Sequence, residues 1–176
     1  MKLLLILLIL YLELTFCEVF IHKEIYHNKP DSFIRKYGIY GDEHINHHLD
    51  VLNDMSLKEG YHEDSLFFDT FDLVYITLLI FIVWYPTVLL FYSIEWYYIF
   101  IAAVLTSLFY KVMWDKLHYA FHQINDIGKY KDNFIFKWLY NNHKVHHLIK
   151  GENKGNYNII FPGADHILGL YRNKIV

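Results

Sequence analysis

The stretch of sequence that decides the fold is LVYITLLIFIVWYPTVLLFYSIEWYYIFIAAVLTSLFYKVMW, which runs from Leu73 to Trp114. It consists of two apolar arms, Leu73 to Tyr92 and Trp96 to Trp114. Each arm is about 20 residues long, which is enough to cross a bilayer core of about 30 Å. Glu95 lies between the arms and is the only charged residue from Leu73 to Tyr110. The sequence therefore predicts a transmembrane helical hairpin over residues 73–114, with Glu95 near its turn.

A third apolar segment, Leu3 to Ile21, comes before the hairpin and contains two acidic residues, Glu13 and Glu18. Its composition fits a transmembrane helix, a secretory signal peptide or a helix that lies in the membrane interface. Cleavage near Cys17 would leave His22, one of a set of clustered histidines, only a few residues from a new N-terminus. We therefore expect residues 1–21 to form an uncleaved membrane anchor.

Ten of the twelve histidines fall into four short boxes, two before the hairpin and two after it. Histidine is the commonest metal ligand, because neutral imidazole offers one nitrogen lone pair while the other ring nitrogen binds a supporting group. One metal ion rarely takes more than about six ligands, so ten histidines predict two metal ions held close together. The predicted ligands are His22, His27, His44, His47, His48, His118, His122, His143, His146 and His147. His62 and His166 lie outside the boxes and are interpreted as ordinary histidines.

The spacing within the boxes is typical of helices, in which residues three or four apart lie on one face. The second and fourth boxes repeat the pattern His-x-x-His-His, and the third is an i, i+4 pair. His22 and His27 are five residues apart and point in different directions on an ideal α-helix. We expect either a bend in the chain near these two residues or a different metal ion for each.

Imidazole is neutral, so a site built from histidine alone needs nearby groups to offset the positive charge of the metal ions. Four acidic residues, in or near the boxes and the closing segment, are candidates for this role: Asp115, Glu18, Glu43 and Asp165. Helix capping and surface solvation are the alternative roles for all four.

The hairpin has a consequence for the boxes, because two crossings return the chain to its starting side of the membrane. All four boxes should therefore meet on one face. Of the sixteen lysines and arginines, five lie between the first apolar segment and the hairpin, and ten follow its apolar core. The positive-inside rule predicts that the histidine face is cytosolic. We expect a multi-pass protein of the endoplasmic reticulum or another endomembrane.

Composition narrows the class of protein further. The chain has 176 residues, of which 55% are hydrophobic, and this length fits a single domain. It has one cysteine, which excludes an internal disulfide and a thiolate metal site. The basic residues form no dense patch, so nucleic-acid binding has no support. The predicted fold is an all-α integral membrane bundle, a single domain over residues 1–176, with a histidine-rich di-metal cap on its cytosolic face.

The four boxes, in this order, resemble those of the fatty acid hydroxylase superfamily, most closely its fatty acid 2-hydroxylase branch. EVFIHKEIYH (18–27) is similar to that branch's Glu-x3-His-x4-His box, and EHINHH (43–48) to its second box. WDKLHYAFHQ (114–123) and NNHKVHH (141–147) resemble the third and fourth boxes, and GNYNIIFPGADHILG (155–169) resembles the closing motif. The resemblance covers the chain from about residue 13 to residue 171.

The resemblance implies a membrane-bound, non-haem di-iron monooxygenase that uses O2 and external electrons to hydroxylate lipid acyl chains, as in fatty acid 2-hydroxylation. In that branch all ten box histidines bind the two iron ions, and zinc is the alternative metal in purified protein. A cytochrome b5-like domain is not found ahead of the boxes, so the resemblance implies a separate electron donor of the cytochrome b5 type. One alternative is a sterol or other lipid oxidase of the same superfamily. Another is a non-catalytic metal-binding paralogue, because the sequence departs from the family after the second box, at Val51, Asn53 and Ser56.

Overall fold

The computed structural model describes residues 1–27, 33–36, 42–62, 66–123 and 131–174, and the regular secondary structure within these ranges is helical. An isolated antiparallel bridge between Val51 and Leu57 is the one extended pairing among the described residues. The helices are α1 (Lys2–Val19), a π-helical segment (Phe20–Tyr26), α2 (Phe33–Lys36), α3 (Asp42–Asp50), α4 (Thr70–Phe91), α5 (Trp96–His122), α6 (Phe134–Leu148), a 3₁₀ turn (Gly151–Asn153) and α7 (Ala164–Ile167). The all-helical part of the fold prediction is confirmed.

The predicted hairpin consists of α4 and α5, which are joined by a turn over residues 92–95. Asp69 begins α4 with a capping box, since its side chain accepts from the Asp72 N–H while the Asp72 carboxylate accepts from the Asp69 N–H. The second helix is longer than the predicted arm, which ended at Trp114. It continues to His122, so the third histidine box lies in the last turns of this second helix.

The first apolar segment packs beside α4 in the antiparallel direction. Trp84 Nε1 donates to the Leu10 carbonyl at 3.2 Å, and Thr87 donates to Glu13 at 2.5 Å. At the other end, Tyr26 donates to Asp72 at 3.0 Å. Within the described ranges, the helices long and apolar enough to cross a membrane are Lys2–Tyr26, Thr70–Phe91 and Trp96–His122. They form a three-helix bundle in which the end of α1, the start of α4 and the end of α5 lie together.

The expectation for His22 and His27 is wrong in both of its forms. The chain does not bend after α1, because Val19 and Phe20 keep right-handed helical backbone angles. The helix instead widens to the π form, and the His27 N–H donates to the His22 carbonyl, five residues earlier, at 3.1 Å. A π-helix brings residues five apart onto the same side. Both histidines can therefore serve one site.

A cap built from α3, α6 and the segment that follows α6 covers this end of the bundle. Buried asparagines join the pieces: Asn142 donates to the Asn158 carbonyl at 2.7 Å, and Asn156 donates to the Asn142 carbonyl at 3.3 Å. Gly163 lies against α1, where a Cβ atom would meet the Thr15 hydroxyl at 3.0 Å. The cap is thus held on the bundle by side-chain to backbone hydrogen bonds and by close backbone approach.

Candidate metal centre

All ten box histidines lie together at the capped end of the bundle, in two groups of five. Within each group, one ring nitrogen from each histidine lies within 4.8 Å of all the others. The first group is His22, His27, His44, His48 and His146, and the second group is His47, His118, His122, His143 and His147. Each group could hold a metal ion.

The helices divide the histidines between the groups. The π-helical segment supplies the first group only, and α5 supplies the second group only. The two His-x-x-His-His boxes each supply both groups, because residues three apart and four apart on a helix point in slightly different directions. The rings of His48 and His147, one from each group, stack with centroids 4.0 Å apart. The repeated box therefore places the two groups side by side.

Backbone carbonyls hold four of the rings from behind. The Nδ1 atoms of His22 and His146 lie 2.7 and 2.8 Å from the carbonyl oxygens of Tyr157 and Gly155. In the second group, the Nδ1 atom of His122 lies 2.9 Å from the Met55 carbonyl, and that of His118 lies 3.3 Å from the Leu66 carbonyl. A carbonyl only accepts, so each Nδ1 must carry the proton. The Nε2 lone pairs of these rings are left to point into the groups.

The first group has more lone pairs than protons. The Nε2 atom of His44 lies 2.9, 3.1 and 3.2 Å from the Nε2 atoms of His22, His27 and His48. Neutral imidazole has one N–H, so His44 can satisfy at most one of these three contacts. His146 Nε2, which its carbonyl partner leaves unprotonated, lies 3.0 Å from His27 Nε2 and 3.1 Å from His48 Nε2. A bound cation would satisfy these lone pairs together.

The second group contains buried nitrogens that have no hydrogen-bond partner within the described part of the chain. They include the Nε2 atoms of His118 and His47, and both side chains are fully buried. The Nε2 atom of His143 lies 3.2 Å from that of His122 and 3.0 Å from that of His147. Unsatisfied buried polar atoms are costly, of the order of 1–3 kcal/mol each, so this group also fits a metal ion.

The spacing of the nitrogens agrees with ligation. Two imidazole nitrogens bound at about 2.1 Å to one metal ion, at right angles to each other, lie about 3.0 Å apart. Five of the Nε2–Nε2 distances in the first group are 2.9 to 3.2 Å. The donor set is nitrogen alone, which suits iron as well as zinc.

Burial keeps the histidines neutral, which is the form that binds metals. Desolvation holds the pKa of seven site histidines well below its usual range, and repulsion from neighbouring rings or lysines is the second cause. These histidines lie outside the candidate membrane-spanning helices and are His27, His44, His47, His48, His143, His146 and His147. Burial, and then the neighbouring Lys150, lowers the pKa of Lys154 to about 8. Lys154 donates to the His146 carbonyl at 3.0 Å.

Three of the four acidic residues predicted to support the imidazoles act through the backbone segments whose carbonyls hold the rings. Glu18 is buried and accepts from the backbone N–H groups of residues 159–161. Asp165 accepts from the Asn158 N–H at 2.7 Å. These bonds fix the segment whose Tyr157 carbonyl holds His22. Asp115 likewise accepts from the Phe68 N–H, two residues after the Leu66 carbonyl that holds His118. The fourth, Glu43, lines a cavity of about 30 Å³ beside His44.

His62 and His166 lie outside both groups, as predicted. His62 pairs with Asp50 at 2.7 Å and is exposed, and His166 stacks on Tyr171 with ring centroids 4.2 Å apart. Trp114 is a site residue for which no specific role was predicted. Its buried ring lies between the groups, 5.7 Å from the His22 ring and 4.8 Å from the His118 ring. Its position four residues before His118, one turn earlier on the same helix, is the feature of the sequence that could have identified it.

No protein-family model, no curated protein and no solved structure matches this chain. The resemblance to the fatty acid hydroxylase superfamily therefore rests on the histidine boxes, the hairpin between them and the closing motif.

Proposed function

We propose that the chain is a membrane-bound di-iron hydroxylase of lipid acyl chains, with all ten box histidines as metal ligands. The observation that carries this proposal is the pair of buried five-histidine groups at one end of a three-helix bundle long and apolar enough to cross a membrane. Iron bound by imidazole supplies the redox chemistry that activates O2 and hydroxylates an unreactive C–H bond, whereas zinc has no redox chemistry.

The chain's own residues would hold the metal ions and keep bulk water from them. Carbonyls fix four ring orientations, and the rings of Trp114, Tyr26 and Phe121 pack against the histidines. Phe121 and Trp114 are almost fully buried. A dry site of this kind favours neutral ligands and limits uncoupled reaction with water.

The position of the groups supports a lipid substrate. An acyl chain is insoluble in water, and a site at the end of membrane-crossing helices can receive it directly from the bilayer. The excess of lysine and arginine on the histidine side supports a cytosolic orientation, where a cytochrome b5-type donor could deliver the two electrons that each O2 requires. The similarity to the 2-hydroxylase branch favours reaction next to the carboxyl end.

Reconstitution with iron, O2 and a cytochrome b5 donor, followed by mass spectrometry of the lipids, tests the proposal. We expect 2-hydroxy acyl lipids from the intact chain, none from His118→Ala, and unchanged product from the control His62→Ala. Oxidised sterols would favour the sterol oxidase alternative instead. The absence of any oxidised lipid from iron-loaded protein would favour the non-catalytic metal-binding alternative.

A further inference from the structure

An apolar groove runs along the outer face of α1 and its π-helical continuation. It consists of two adjoining cavities of about 510 and 280 Å³, and Phe16 and Phe20 line both of them. The larger cavity reaches Lys23 and Glu24, and the smaller one reaches Glu13. The combined size is in the range of small-molecule binding sites, about 300–1,000 Å³.

The groove has the length of one membrane leaflet. Glu13 and Glu24 are eleven residues apart, which corresponds to about 16 Å along a helix. Half of a bilayer core is about 15 Å. Because Lys23 and Glu24 lie between His22 and His27 in the sequence, the polar end of the groove lies on the histidine side. The apolar part then faces the lipid tails of that leaflet.

The polar end of the groove offers both signs of charge. Lys23 and Glu24 form an ion pair in which both side chains are nearly half exposed. A lysine ammonium has three donors and a carboxylate has several acceptor sites, so each keeps capacity for a further partner. A headgroup with a phosphate and a positively charged amine complements this pair. Phe16 and Phe20 are 38% and 43% exposed, and they offer the apolar surface that an acyl chain would cover.

The floor of the groove lies close to the first histidine group. Val19 and Leu170, which line the larger cavity, pack with Tyr157. The Tyr157 ring lies 5.6 Å from the His22 ring and 5.3 Å from the His146 ring, and its carbonyl holds His22. One side chain therefore separates the groove from the candidate metal centre.

We propose that this groove binds one acyl chain of a zwitterionic phospholipid, with the lipid headgroup at Lys23 and Glu24. Bound there, the lipid is positioned beside the first histidine group. This proposal depends on the proposed function in one respect, which is that the bound lipid is the substrate presented to the candidate metal centre. The binding itself requires no turnover.

Photolabelling of the zinc-loaded chain tests the binding without any reaction. The probe is a phosphatidylcholine with a diazirine on one acyl chain, in phosphatidylcholine nanodiscs, and labelled residues are mapped by mass spectrometry. We expect about one saturable lipid per chain, with the label concentrated at Phe16, Phe20 and Leu170. Label spread evenly over the exposed apolar residues of all three helices would overturn the site, since that is the pattern of bulk lipid.

Two groove variants with matched controls sharpen the result. Leu168→Trp fills the larger cavity from an exposed position, and Phe20→Glu places a charge in the groove. The controls are Leu105→Trp and Leu105→Glu on α5, where Leu105 is also exposed. We expect each groove variant to lower saturable labelling at least tenfold and each control to leave it unchanged, with metal content retained throughout. Equal labelling in groove and control variants would contradict the proposal.

A separate experiment tests which headgroup the groove accepts. Phosphatidylserine and ceramide probes of the same chain length should label the groove several-fold less than phosphatidylcholine, and equal or stronger labelling by either would overturn the assignment. A chain that binds the lipid in the groove yet makes no hydroxylated product with iron, O2 and a donor would refute the proposed function and leave the groove proposal standing.

Discussion

Glu18→Gln is the substitution that most sharply tests how the cap supports the metal centre. Each carboxylate oxygen of Glu18 accepts from two N–H groups that can only donate, and one oxygen also accepts from the Tyr110 hydroxyl at 3.1 Å. One oxygen accepts from the N–H groups of Ile159 and Ile160 at 3.1 and 2.8 Å, and the other accepts from the Phe161 N–H and the Asn158 side chain at 3.0 and 3.1 Å. These four N–H groups can only donate, so each of them needs a lone pair of the Glu18 side chain.

Glutamine replaces one of these oxygens with an NH2 group, which would face two donors. Each hydrogen bond to a charged group contributes about 1.5–3 kcal/mol, so losing two of them should cost about 3–6 kcal/mol of unfolding free energy. The damage should also reach the metal centre. Glu18 holds the segment whose Tyr157 carbonyl orients His22, and so the first group should lose its metal ion while the second group keeps its own.

The matched control is Glu13→Gln on the same helix. It weakens a single hydrogen bond, the one that Glu13 accepts from Thr87, because the amide oxygen of glutamine can still accept it but carries no charge. We expect this variant to lose about 0.5–1.5 kcal/mol and to keep both metal ions. Unfolding of each variant in detergent is followed by circular dichroism, and metal per chain is measured by elemental analysis. If Glu18→Gln unfolds at the same midpoint as Glu13→Gln and retains two metal ions, the proposed support of the first group by Glu18 is wrong.

Three further predictions follow from the same structure. His146→Ala and His147→Ala should each lower metal content by one ion, from different groups, and an unchanged metal count in either variant would remove that residue from its group. Stability should fall with acidification, because burial lowers the folded-state pKa of His47, His143 and His146 while the unfolded value stays near 6.5. The unfolded chain then binds more protons below that pH, and these three histidines alone should remove about 4 kcal/mol of unfolding free energy between pH 7.5 and 5.5; a thermal midpoint that does not change over this range would contradict it. Because the chain has no Asn-x-Ser/Thr sequence, glycosylation can be read from inserted acceptor loops alone. An acceptor at Glu95 should be glycosylated and one at the C-terminus should not, since the hairpin places them on opposite sides of the membrane, and equal modification of both would exclude the hairpin.

The sequence predicted the hairpin turn and the grouping of the histidines, since both follow from simple patterns. A long apolar run interrupted at Glu95 predicts two membrane-crossing helices joined by a turn. Repeated i, i+3, i+4 spacing places imidazoles on one helix face. The predicted membrane arm ended at Trp114, whereas α5 continues to His122. Lys111 and Asp115 pair with each other one turn apart along this helix.

Two features of the site lay outside what the sequence could show. The π-helical segment at His22 and His27 is invisible to a pattern search based on 3.6 residues per turn. The carbonyls that orient the rings cannot be identified from residue types, because every residue carries one. Met55 illustrates this: its φ of 76° lies in the left-handed region, which a methionine rarely adopts, and its carbonyl holds His122.

The metal content of the purified chain tests the central claim most directly. The protein is purified anaerobically in detergent without added chelator, and metal per chain is determined by elemental mass spectrometry against a protein concentration from amino-acid analysis. Two groups of five buried histidines predict two transition-metal ions per chain. A chain that is folded and carries none, or only one, would contradict the assignment of the ten histidines to two metal sites.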